Sequence, residues 1–276
     1  MKLEEIAQKH LSKEQWELLY KIQSGEIDFD QILTHEWNNT QGTDTAYYNC
    51  PKCLNRGERS KVINGQIFTT PCDCMAIRRC NRLLAESGIA EQIKTKTFEN
   101  YICTEPWQQT VKDKCIQYTQ SPSKCLYLGG QSGAGKTHLC TAVCGYFIQQ
   151  GKPLRYVLWR DIITKLQANV FNDTQYTAIT EDLKNIDVLY IDDLFKLIST
   201  KSDSRTKELE IAFKILNDRE LSNKITIIST EYTIAEIERF DEAIAGRIAK
   251  MCTKNYIVQI GKKAGRNYRL RDLEEV

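Results

Sequence analysis

A glycine-rich stretch, Gly130–Thr137, carries the residue types with the clearest chemistry. It has the pattern Gly-x-x-x-x-Gly-Lys-Thr between a short apolar run and a sequence able to start a helix, a context that argues against a chance turn. Glycines let the backbone curl around a phosphate, and N–H groups at a helix N-terminus supply partial positive charge. We therefore predict an ATP-binding P-loop with contacts from Gly130, Gln131, Ser132, Gly133, Ala134, Gly135, Lys136, Thr137 and His138, in which Lys136 meets the β- and γ-phosphates and Thr137 offers its hydroxyl to Mg²⁺.

Two aspartates follow the apolar strand predicted at 188–191. Downstream of a P-loop, a strand that ends in an acid predicts the Walker B element. Asp192 is expected to hold Mg²⁺, directly or through water. Asp193 is expected to orient or deprotonate the attacking water. Many related ATPases carry glutamate there, so the shorter side chain is expected to alter the water position or the rate.

Further polar candidates follow these motifs. The next strand, 225–229, ends at Thr230 and Glu231. Thr230 suits a hydrogen bond to the γ-phosphate or the water, and Glu231 suits positioning of water or an arginine. Arg247 is either a surface residue or an arginine finger that enters a neighbouring subunit's site. Arg266 and Arg269 either contact the γ-phosphate of their own subunit or are exposed.

Four of the 11 cysteines form two close pairs, Cys50-x-x-Cys53 and Cys72-x-Cys74. A β-prone insert with an Asn-Gly turn separates the pairs and would bring them together. Four thiolates complete a tetrahedron around Zn²⁺, so a zinc ribbon is predicted, with Cys80 as a reserve ligand. A redox pair or unrelated core cysteines are the alternatives. The helix predicted next, 75–86, is basic, with Arg78, Arg79 and Arg82 either solvated or on nucleic-acid phosphates.

Strands and helices alternate from residue 124 onward, which predicts an α/β fold with a parallel five-stranded sheet flanked by helices. The strands are expected near 125–128, 156–159, 188–191, 225–229 and 256–260, and the helices near 136–150, 160–170, 206–220, 233–240 and 242–252. The expected domains are a helical segment at 1–46, a zinc-binding module with its basic helix at 47–90, a linker at 91–123 and the ATPase domain at 124–276. Aromatic residues in the linker, at 97–101 and Trp107, either contact the nucleotide base or pack in the core.

Composition bounds the remaining possibilities. The formal net charge is +2, so overall charge does not indicate a nucleic-acid-binding protein. Residues 1–46 carry four lysines against nine acidic side chains, whereas 47–100 carry nine lysines and arginines against five, which suggests different partners for the two segments. Neither a membrane-spanning stretch nor a secretion signal is recognisable, so a cytoplasmic protein with reduced cysteines and no membrane contact is expected.

The order of these parts resembles the DnaC/DnaI-type helicase loaders of the AAA+ ATPases, in the phage and prophage branch of Gram-positive bacteria. The resemblance spans about 47–270 and rests on the cysteine pairs with their basic helix, on 97–101, and on 129–140, 190–194, 228–231 and 245–248. It implies an N-terminal module that grips a DnaB-family replicative helicase. It also implies ATP bound between subunits of a homo-oligomer, with Arg247 acting in trans, and single-stranded DNA held inside a spiral.

By the same resemblance, DNA contacts are expected from 165–171 and from the polar loop 199–205, with Lys165, Phe171, Lys201 and Arg205 as candidates. Phe171 could stack on a base, although for this residue taken alone a place in the core is the favoured interpretation. Two other functions stay open. One is an IstB-like transposition helper, against which the cysteine module argues. The other is a nucleotide-binding adaptor or inhibitor of a replication protein with little hydrolysis.

Overall fold

The computed structural model describes residues 12–26, 28–87, 89–196, 198, 202–263 and 265–269. The chain divides into two compact units, Met1–Arg78 and Arg79–Val276. The first eleven residues of the helical segment predicted at 1–46 and the DNA-contact candidate Lys201 lie outside the described residues.

The described residues of the first unit form two helices and a hairpin. Its elements are α1 (Lys13–Gln23), α2 (Phe29–Asn39), β1 (Glu58–Ile63) and β2 (Gln66–Pro71), and helix α3 (Cys74–Ser87) begins in it. Ile63 pairs with Gln66, which leaves Asn64 and Gly65 as the predicted two-residue turn. Both turn residues have positive φ, +51° and +70°, as a type I′ turn requires. The turn predicted between the cysteine pairs is thus confirmed.

Among the described residues of the first unit, few apolar side chains are buried. Every residue of β2 is exposed, and the buried cluster of this unit consists of Cys50, Cys53, Cys72 and Cys74 with Tyr48 packed against them. Helix α2 is attached to β1 by polar bonds, since the Asn38 side chain donates to Ser60 O at 2.7 Å and accepts from Ser60 N at 2.9 Å. Apolar burial therefore contributes little stability among the described residues of this unit.

The second unit is built on a parallel sheet. Its strands are β3 (Cys125–Gly130), β4 (Leu154–Leu158), β5 (Val188–Asp192), β6 (Ile225–Ser229) and β7 (Ile257–Ile260), in the order β4-β5-β6-β3-β7. Its helices are α4 (Ala90–Thr95), α5 (Pro106–Gln120), α6 (Lys136–Gln149), α7 (Trp159–Ala168), α8 (Asp173–Asn185), α9 (Ser202–Leu221), α10 (Ile234–Glu238) and α11 (Glu242–Cys252). The predicted α/β fold with a five-stranded parallel sheet is confirmed.

Two apolar clusters cover the two faces of this sheet. Along β3, Leu126 and Leu128 belong to one cluster, and Cys125 and Tyr127 belong to the other. Successive side chains of a strand point to opposite faces, so this alternation places helices on both sides. Such a sheet brings the carboxyl ends of its strands to one edge, where the loops carrying the candidate residues lie.

Three elements differ from expectation. Trp159 starts helix α7 instead of ending a strand, because its buried indole Nε1 donates to Glu208 Oε1 at 2.6 Å. Helix α8 is absent from the prediction, although Asn172 caps it by accepting from Gln175 N at 3.1 Å. Residues 91–123, expected to join two modules, contain α5, which contributes core residues of the second unit, among them Val111, Cys115 and Tyr118.

A fully buried arginine connects helices to the sheet. The guanidinium of Arg219 donates to Thr226 Oγ1 at 2.8 Å and to the carbonyl oxygens of Leu183 and Ile186 at 2.7 and 3.0 Å. These carbonyls end helix α8 and would otherwise lack partners inside the protein. Burial lowers the pKa of Arg219 to about 10, so the group stays charged at neutral pH.

Candidate functional site

The P-loop joins β3 to α6 as its sequence predicts. Gly130 has φ +107°, and a Cβ there would collide with the carbonyl oxygen of Ile260. Gly135 has φ +82°, and a Cβ there would lie 2.7 Å from the ring of Tyr101. Glycine is needed at both positions, because other residues rarely adopt this backbone conformation and have no space for a side chain. The loop therefore presents its backbone to a cavity of about 360 Å³.

Residues from five parts of the second unit line this cavity. The P-loop provides 132–138, the end of β5 provides Asp193 and Lys196, and the end of β6 provides Glu231. The remaining lining residues precede α6 or follow β7: Lys96, Asn100, Tyr101, Ile102, Gln108, Tyr268 and Arg269. The predicted P-loop residues Gly130 and Gln131 line a neighbouring depression with Ser132 instead.

Lys136 lies at the base of the P-loop. Its ammonium group donates to Gly130 O at 2.9 Å and to Gln131 O at 2.7 Å, and its side chain is buried. Burial lowers the pKa of Lys136, since removal from water disfavours the charged form. A bound phosphate would restore a negative partner to this ammonium group.

Thr137 and Asp192 lie side by side. Thr137 Oγ1 donates to Asp192 Oδ1 at 3.2 Å, and Asp192 is buried at the end of β5. The hydroxyls of Ser229 and Tyr156 also donate to this carboxylate, the latter at 3.3 Å. A hydroxyl next to a carboxylate in this position is a donor set that fits Mg²⁺.

Asp193 is paired with a lysine that the sequence analysis did not select. Lys196 Nζ lies 2.9 Å from Asp193 Oδ2 and 3.5 Å from Glu231 Oε1. Glu231 in turn accepts from Ser132 Oγ of the P-loop at 2.8 Å. Partial burial by itself would raise the pKa of Glu231. The Ser132 hydroxyl and the nearby Lys196 and Lys136 outweigh this effect, so the pKa of Glu231 is lowered. The chain of polar contacts therefore links the Walker B carboxylate to the P-loop.

Thr230 occupies a different environment from the one expected for a phosphate contact. It is fully buried, and its hydroxyl donates to the carbonyl oxygen of Leu194 at 2.7 Å. Glu231, the next residue, lines the cavity, whereas Thr230 does not. Thr230 therefore holds the turn after β5, and this buried setting differs from the γ-phosphate contact predicted for it.

The aromatic residues before the P-loop pack in or against the apolar core, and Tyr101 also lines the cavity. Tyr101 packs on Gly135, lines the cavity and meets the ring of His138 edge to face at 5.2 Å. His138 Nε2 lies 2.8 Å from the carbonyl oxygen of Thr97. Burial lowers the pKa of His138, so its ring is neutral near pH 7. Phe98 and Trp107 pack against the core.

The sulfur atoms of Cys50, Cys53, Cys72 and Cys74 all lie within 4.8 Å of one another and are buried. The Cys50–Cys72 and Cys53–Cys74 sulfur separations are 3.9 and 3.6 Å. A tetrahedron with Zn–S bonds of about 2.3 Å has edges of about 3.8 Å, so the cluster fits Zn²⁺. Cys80 belongs to the apolar core of the second unit and is not part of this group.

A bound cation would also allow all four thiols to lose their protons. Burial by itself would raise the pKa of Cys53. The N–H of Gly57 and the neighbouring thiols outweigh this effect and lower the pKa of Cys53 to about 7. Burial and the adjacent Cys53 raise the pKa of Cys74 to about 12. The four groups cannot all be thiolates at neutral pH without a compensating cation. Arg78, expected on an exposed basic face, is instead buried and paired with Asp44, whereas Arg79 and Arg82 are exposed.

Comparison with known proteins identifies the family. Residues 93–253 match the family described as the bacterial DnaA ATPase domain. Phage-like element PBSX protein XkdC of Bacillus subtilis is 32% identical over 240 residues, which cover 83% of this chain and 88% of XkdC. The chain belongs to the DnaA/DnaC family of AAA+ ATPases. Within it, this is a DnaC-type protein related to phage elements, as the sequence motifs indicated.

More distant relatives agree with this assignment. The replicative helicase loader DnaC of Buchnera aphidicola subsp. Acyrthosiphon pisum is 26% identical over 153 residues, covering 54% of this chain and 60% of that protein. Domain III of the Thermotoga maritima replication initiation protein DnaA has the same fold, with a TM-score of 0.51 and 21% identity, over 61% of this chain and 67% of that one. These similarities cover the ATPase domain, and an ATPase fold implies a nucleotide with Mg²⁺.

In this DnaC-type chain, Arg247 lies outside the nucleotide cavity of its own subunit. It is in helix α11, where its Nη1 pairs with Glu220 Oε2 at 2.6 Å and its guanidinium lies 4.6 Å from the centre of the Phe213 ring. Lys250 pairs with the same carboxylate at 2.7 Å. The two C-terminal arginines also separate: Arg269 lines the cavity, whereas Arg266 donates to Gly261 O and lies 5.1 Å from the Trp107 ring centre.

The described DNA-contact candidates occupy different settings. Lys165 and Phe171 are exposed, the latter completely, so the alternative of Phe171 as a core residue is wrong. Arg205 is in α9, not in a loop, with its guanidinium 5.4 Å from the Phe240 ring centre. Within the described part of the DnaC-type chain, no helix has the length and apolarity needed to span a bilayer.

Several cavity residues were missed because their signals are weak in sequence. Lys196 lies four positions after Asp192, beyond the strand, and no motif includes it. Ser229 could have been found from strand order, because the last residue of β6 adjoins the end of β5 when Ile191 pairs with Ile228. Asn267 and Tyr268 reach the P-loop from the C-terminal segment, where Tyr268 N donates to Gly133 O at 3.0 Å.

Proposed function

We propose that this protein is a helicase loader that hydrolyses ATP and places a DnaB-family replicative helicase on single-stranded DNA. The observation that carries the proposal is one cavity in a DnaC-type fold that is lined by Lys136, Thr137 and Asp193 and bounded by Asp192 next to Thr137. These groups supply phosphate binding, metal binding and a base for water, which together are the requirements of phosphoryl transfer.

In the proposed reaction, the P-loop amides and Lys136 bind the β- and γ-phosphates. Thr137 and Asp192 would hold Mg²⁺, which neutralises charge on the phosphates when it is bound. Asp193 accepts a proton from the attacking water or orients it, and Glu231 positions that water from the neighbouring strand. The bond from the β,γ-bridging oxygen to the terminal phosphorus breaks, which yields ADP and phosphate.

The proposal includes an oligomer with nucleotide at its subunit interfaces. Support comes from the position of Arg247, which does not line its own cavity and takes part in an ion pair and a ring contact. In a homo-oligomer, Arg247 would leave Glu220 and stabilise charge on the neighbouring subunit's γ-phosphate. Lys165, Phe171 and Arg205, with Lys201, are proposed to contact DNA, since cations and an exposed aromatic ring suit single strands.

The four-cysteine cluster of the first unit is proposed to bind Zn²⁺. Together with the preceding helices α1 and α2, this part of the chain is proposed to hold the helicase. Support comes from the four converging sulfurs and from the related protein described as a replicative helicase loader. Exposed apolar residues of the unit, such as Trp37, Ile67 and Phe68, would contribute to such a contact. The chemistry of this surface differs from that of the ATP site, so partner binding and hydrolysis can be separated experimentally.

A binding and turnover experiment tests this function. The full chain is immobilised and offered purified DnaB-type helicase from its host with ATP, with ADP and without nucleotide, and ATP hydrolysis is followed with and without single-stranded DNA. We expect nucleotide-dependent capture of the helicase and DNA-stimulated hydrolysis, both lost in Lys136→Ala. Absence of helicase capture under every condition would overturn the loader function. Capture with no hydrolysis would instead support the nucleotide-dependent adaptor.

A further inference from the structure

A second lysine in the ATP cavity is not accounted for by the P-loop or Walker B motifs. Lys196 is about one-third exposed, and its ammonium group lies between Asp193 and Glu231, at 2.9 and 3.5 Å. The adjacent P-loop residue Ser132 donates to the same oxygen of Glu231. Lys196 is thus in contact with groups from both walls of the space that would receive the phosphates.

The backbone after β5 sets the position of this lysine. Asp193 and Phe195 both have positive φ, +55° and +62°, which is unusual for residues with side chains. The turn is held by burial of Leu194 and Phe195 and by a bond from Leu194 N to Ser229 O of 3.0 Å. Such a conformation persists only where surrounding contacts stabilise it. The turn therefore directs Lys196 into the cavity in a defined way.

The charges around the cavity make a second cation necessary. Asp193 and Glu231 are both negative, and a triphosphate would bring several more negative charges beside them. Like charges a few ångströms apart destabilise binding substantially when partly removed from water. Lys136 is already engaged with the carbonyls of Gly130 and Gln131, and Lys96 donates to Gln92 Oε1 at 2.6 Å. Among these three lysines, Lys196 is the one paired with the carboxylates.

We propose that Lys196 distinguishes a nucleoside triphosphate from a diphosphate by binding the terminal phosphate while it stays paired with Asp193. The inference rests on the proposed ATP site. In the nucleotide-free state the lysine neutralises both carboxylates. With a triphosphate, the weaker contact to Glu231 is exchanged for a charge-assisted hydrogen bond to the γ-phosphate. A diphosphate offers no oxygen at that position, so the lysine remains with the carboxylates.

Nucleotide affinities test the proposal. Dissociation constants for Mg²⁺-ADP and for a non-hydrolysable ATP analogue with Mg²⁺ are measured for the full chain, Lys196→Ala and Lys196→Arg. A lost charge-assisted hydrogen bond predicts that Lys196→Ala weakens triphosphate binding about 10- to 100-fold, with ADP affinity changed less than about twofold. Lys196→Arg should recover most of the preference. The matched control is Lys94→Ala, because this lysine is also paired with a carboxylate, that of Glu91, but does not line the cavity.

A second variant tests the electrostatic reasoning. Glu231→Gln in the Lys196→Ala background should recover part of the triphosphate affinity, since it removes a negative charge near the γ-phosphate. Equal weakening of ADP and triphosphate binding by Lys196→Ala, or an unchanged preference, would overturn the role of Lys196. Failure of the unmodified chain to bind either nucleotide would instead remove the proposed ATP site itself. Circular dichroism of each variant confirms that its fold is retained, as the partial exposure of Lys196 leads us to expect.

Discussion

The two units of this chain are stabilised by different physical means. The second unit buries two apolar clusters, one on each face of a five-stranded sheet. The first unit has an exposed β2 strand and a buried cluster made of four cysteines and one packed tyrosine. Burial of apolar area scales with size, so a small module needs another source of folding energy. We therefore expect a bound metal to stabilise the first unit, whereas its apolar core stabilises the second unit.

The largest expected effect is loss of the first unit alone when metal is removed. We expect one zinc per chain, and expect Cys50→Ser/Cys53→Ser or a strong chelator to abolish amide protection in β1 and β2, because structural zinc supplies most of the folding energy of such sites. Protection in β3 and β5 should stay unchanged. Metal analysis and hydrogen exchange on the full chain provide the measurement.

The control for this prediction is Cys103→Ser, which alters a half-buried cysteine outside the cluster. It should retain zinc and the protection of the hairpin. Metal-free protein with a fully protected hairpin would show that apolar and hydrogen-bond contacts suffice in the first unit, and the contrast between the units would disappear.

The second-largest expected effect is a loss of ATP hydrolysis when Arg247 no longer completes the ATP site of a neighbouring subunit. Arg247→Ala should lower turnover about 10³-fold, as loss of an arginine finger does, without changing zinc content. Mixing it with Lys136→Ala subunits should restore part of the activity, because each mixed interface can combine an intact P-loop with an intact Arg247. Steady-state hydrolysis at several mixing ratios measures this.

Lys250→Ala is the matched control, since Lys250 is in the same helix and pairs with the same Glu220 carboxylate. It should keep turnover within about threefold, which separates loss of a finger from loss of the local ion pair. If no mixing ratio restores hydrolysis, Arg247 acts within its own subunit or only structurally.

A third effect isolates chemistry from binding. Asp193→Asn should reduce turnover by about 10²-fold or more, because the amide cannot accept the proton from water, while ATP affinity stays within a few-fold. Asp182→Asn, which changes an aspartate paired with Arg155 outside the cavity, serves as control. Pre-steady-state and equilibrium binding measurements separate the two quantities. Unchanged turnover in Asp193→Asn would transfer the role of base to Glu231.

The smallest expected effect is on the free energy of unfolding of the second unit, to which the Glu236 side chain contributes. Glu236 accepts from Lys262 and from the N–H of Thr233, and these two donors lower its pKa to about 2. A depressed pKa contributes stability that is present above the unfolded value near 4.3 and is lost as the pH falls toward 2. Glu236→Gln should therefore reduce the free energy of unfolding by about 1 kcal/mol at pH 7.

The difference in unfolding free energy between Glu236→Gln and the unmodified chain should be smaller at pH 3.5 than at pH 7. Chemical denaturation at both pH values measures this difference. Glu238→Gln changes an exposed glutamate in the same short helix and should have no measurable effect at either pH. A pH-independent difference for Glu236→Gln would mean that the side chain stabilises by packing alone. With either result, the contribution of Glu236 to the free energy of unfolding is small beside that of the apolar core of the second unit.

Much of the fold and of the site could be predicted because the signals are local. The P-loop and the hairpin turn depend on glycine or asparagine at positions of positive φ, and the parallel sheet depends on regularly alternating apolar strands. Helix α8 was missed because its polar sequence carries little periodic signal, and the burial of Arg78 was missed because an arginine in a basic helix is usually solvated. Thr230 was placed incorrectly because the sequence does not show that Leu194 turns its carbonyl oxygen back toward β6.

By itself, the sequence determined the order of the chemical parts: four thiols that can share a metal, a phosphate-binding loop, and two acids at the end of a strand. Only the tertiary structure decided which charges meet. Arg219 reaches carbonyls more than 30 positions away, and Lys196 meets Glu231 because β5 and β6 are neighbours in the sheet. The physical reason is that motifs need only local backbone geometry, whereas ion pairs across strands depend on sheet order and register.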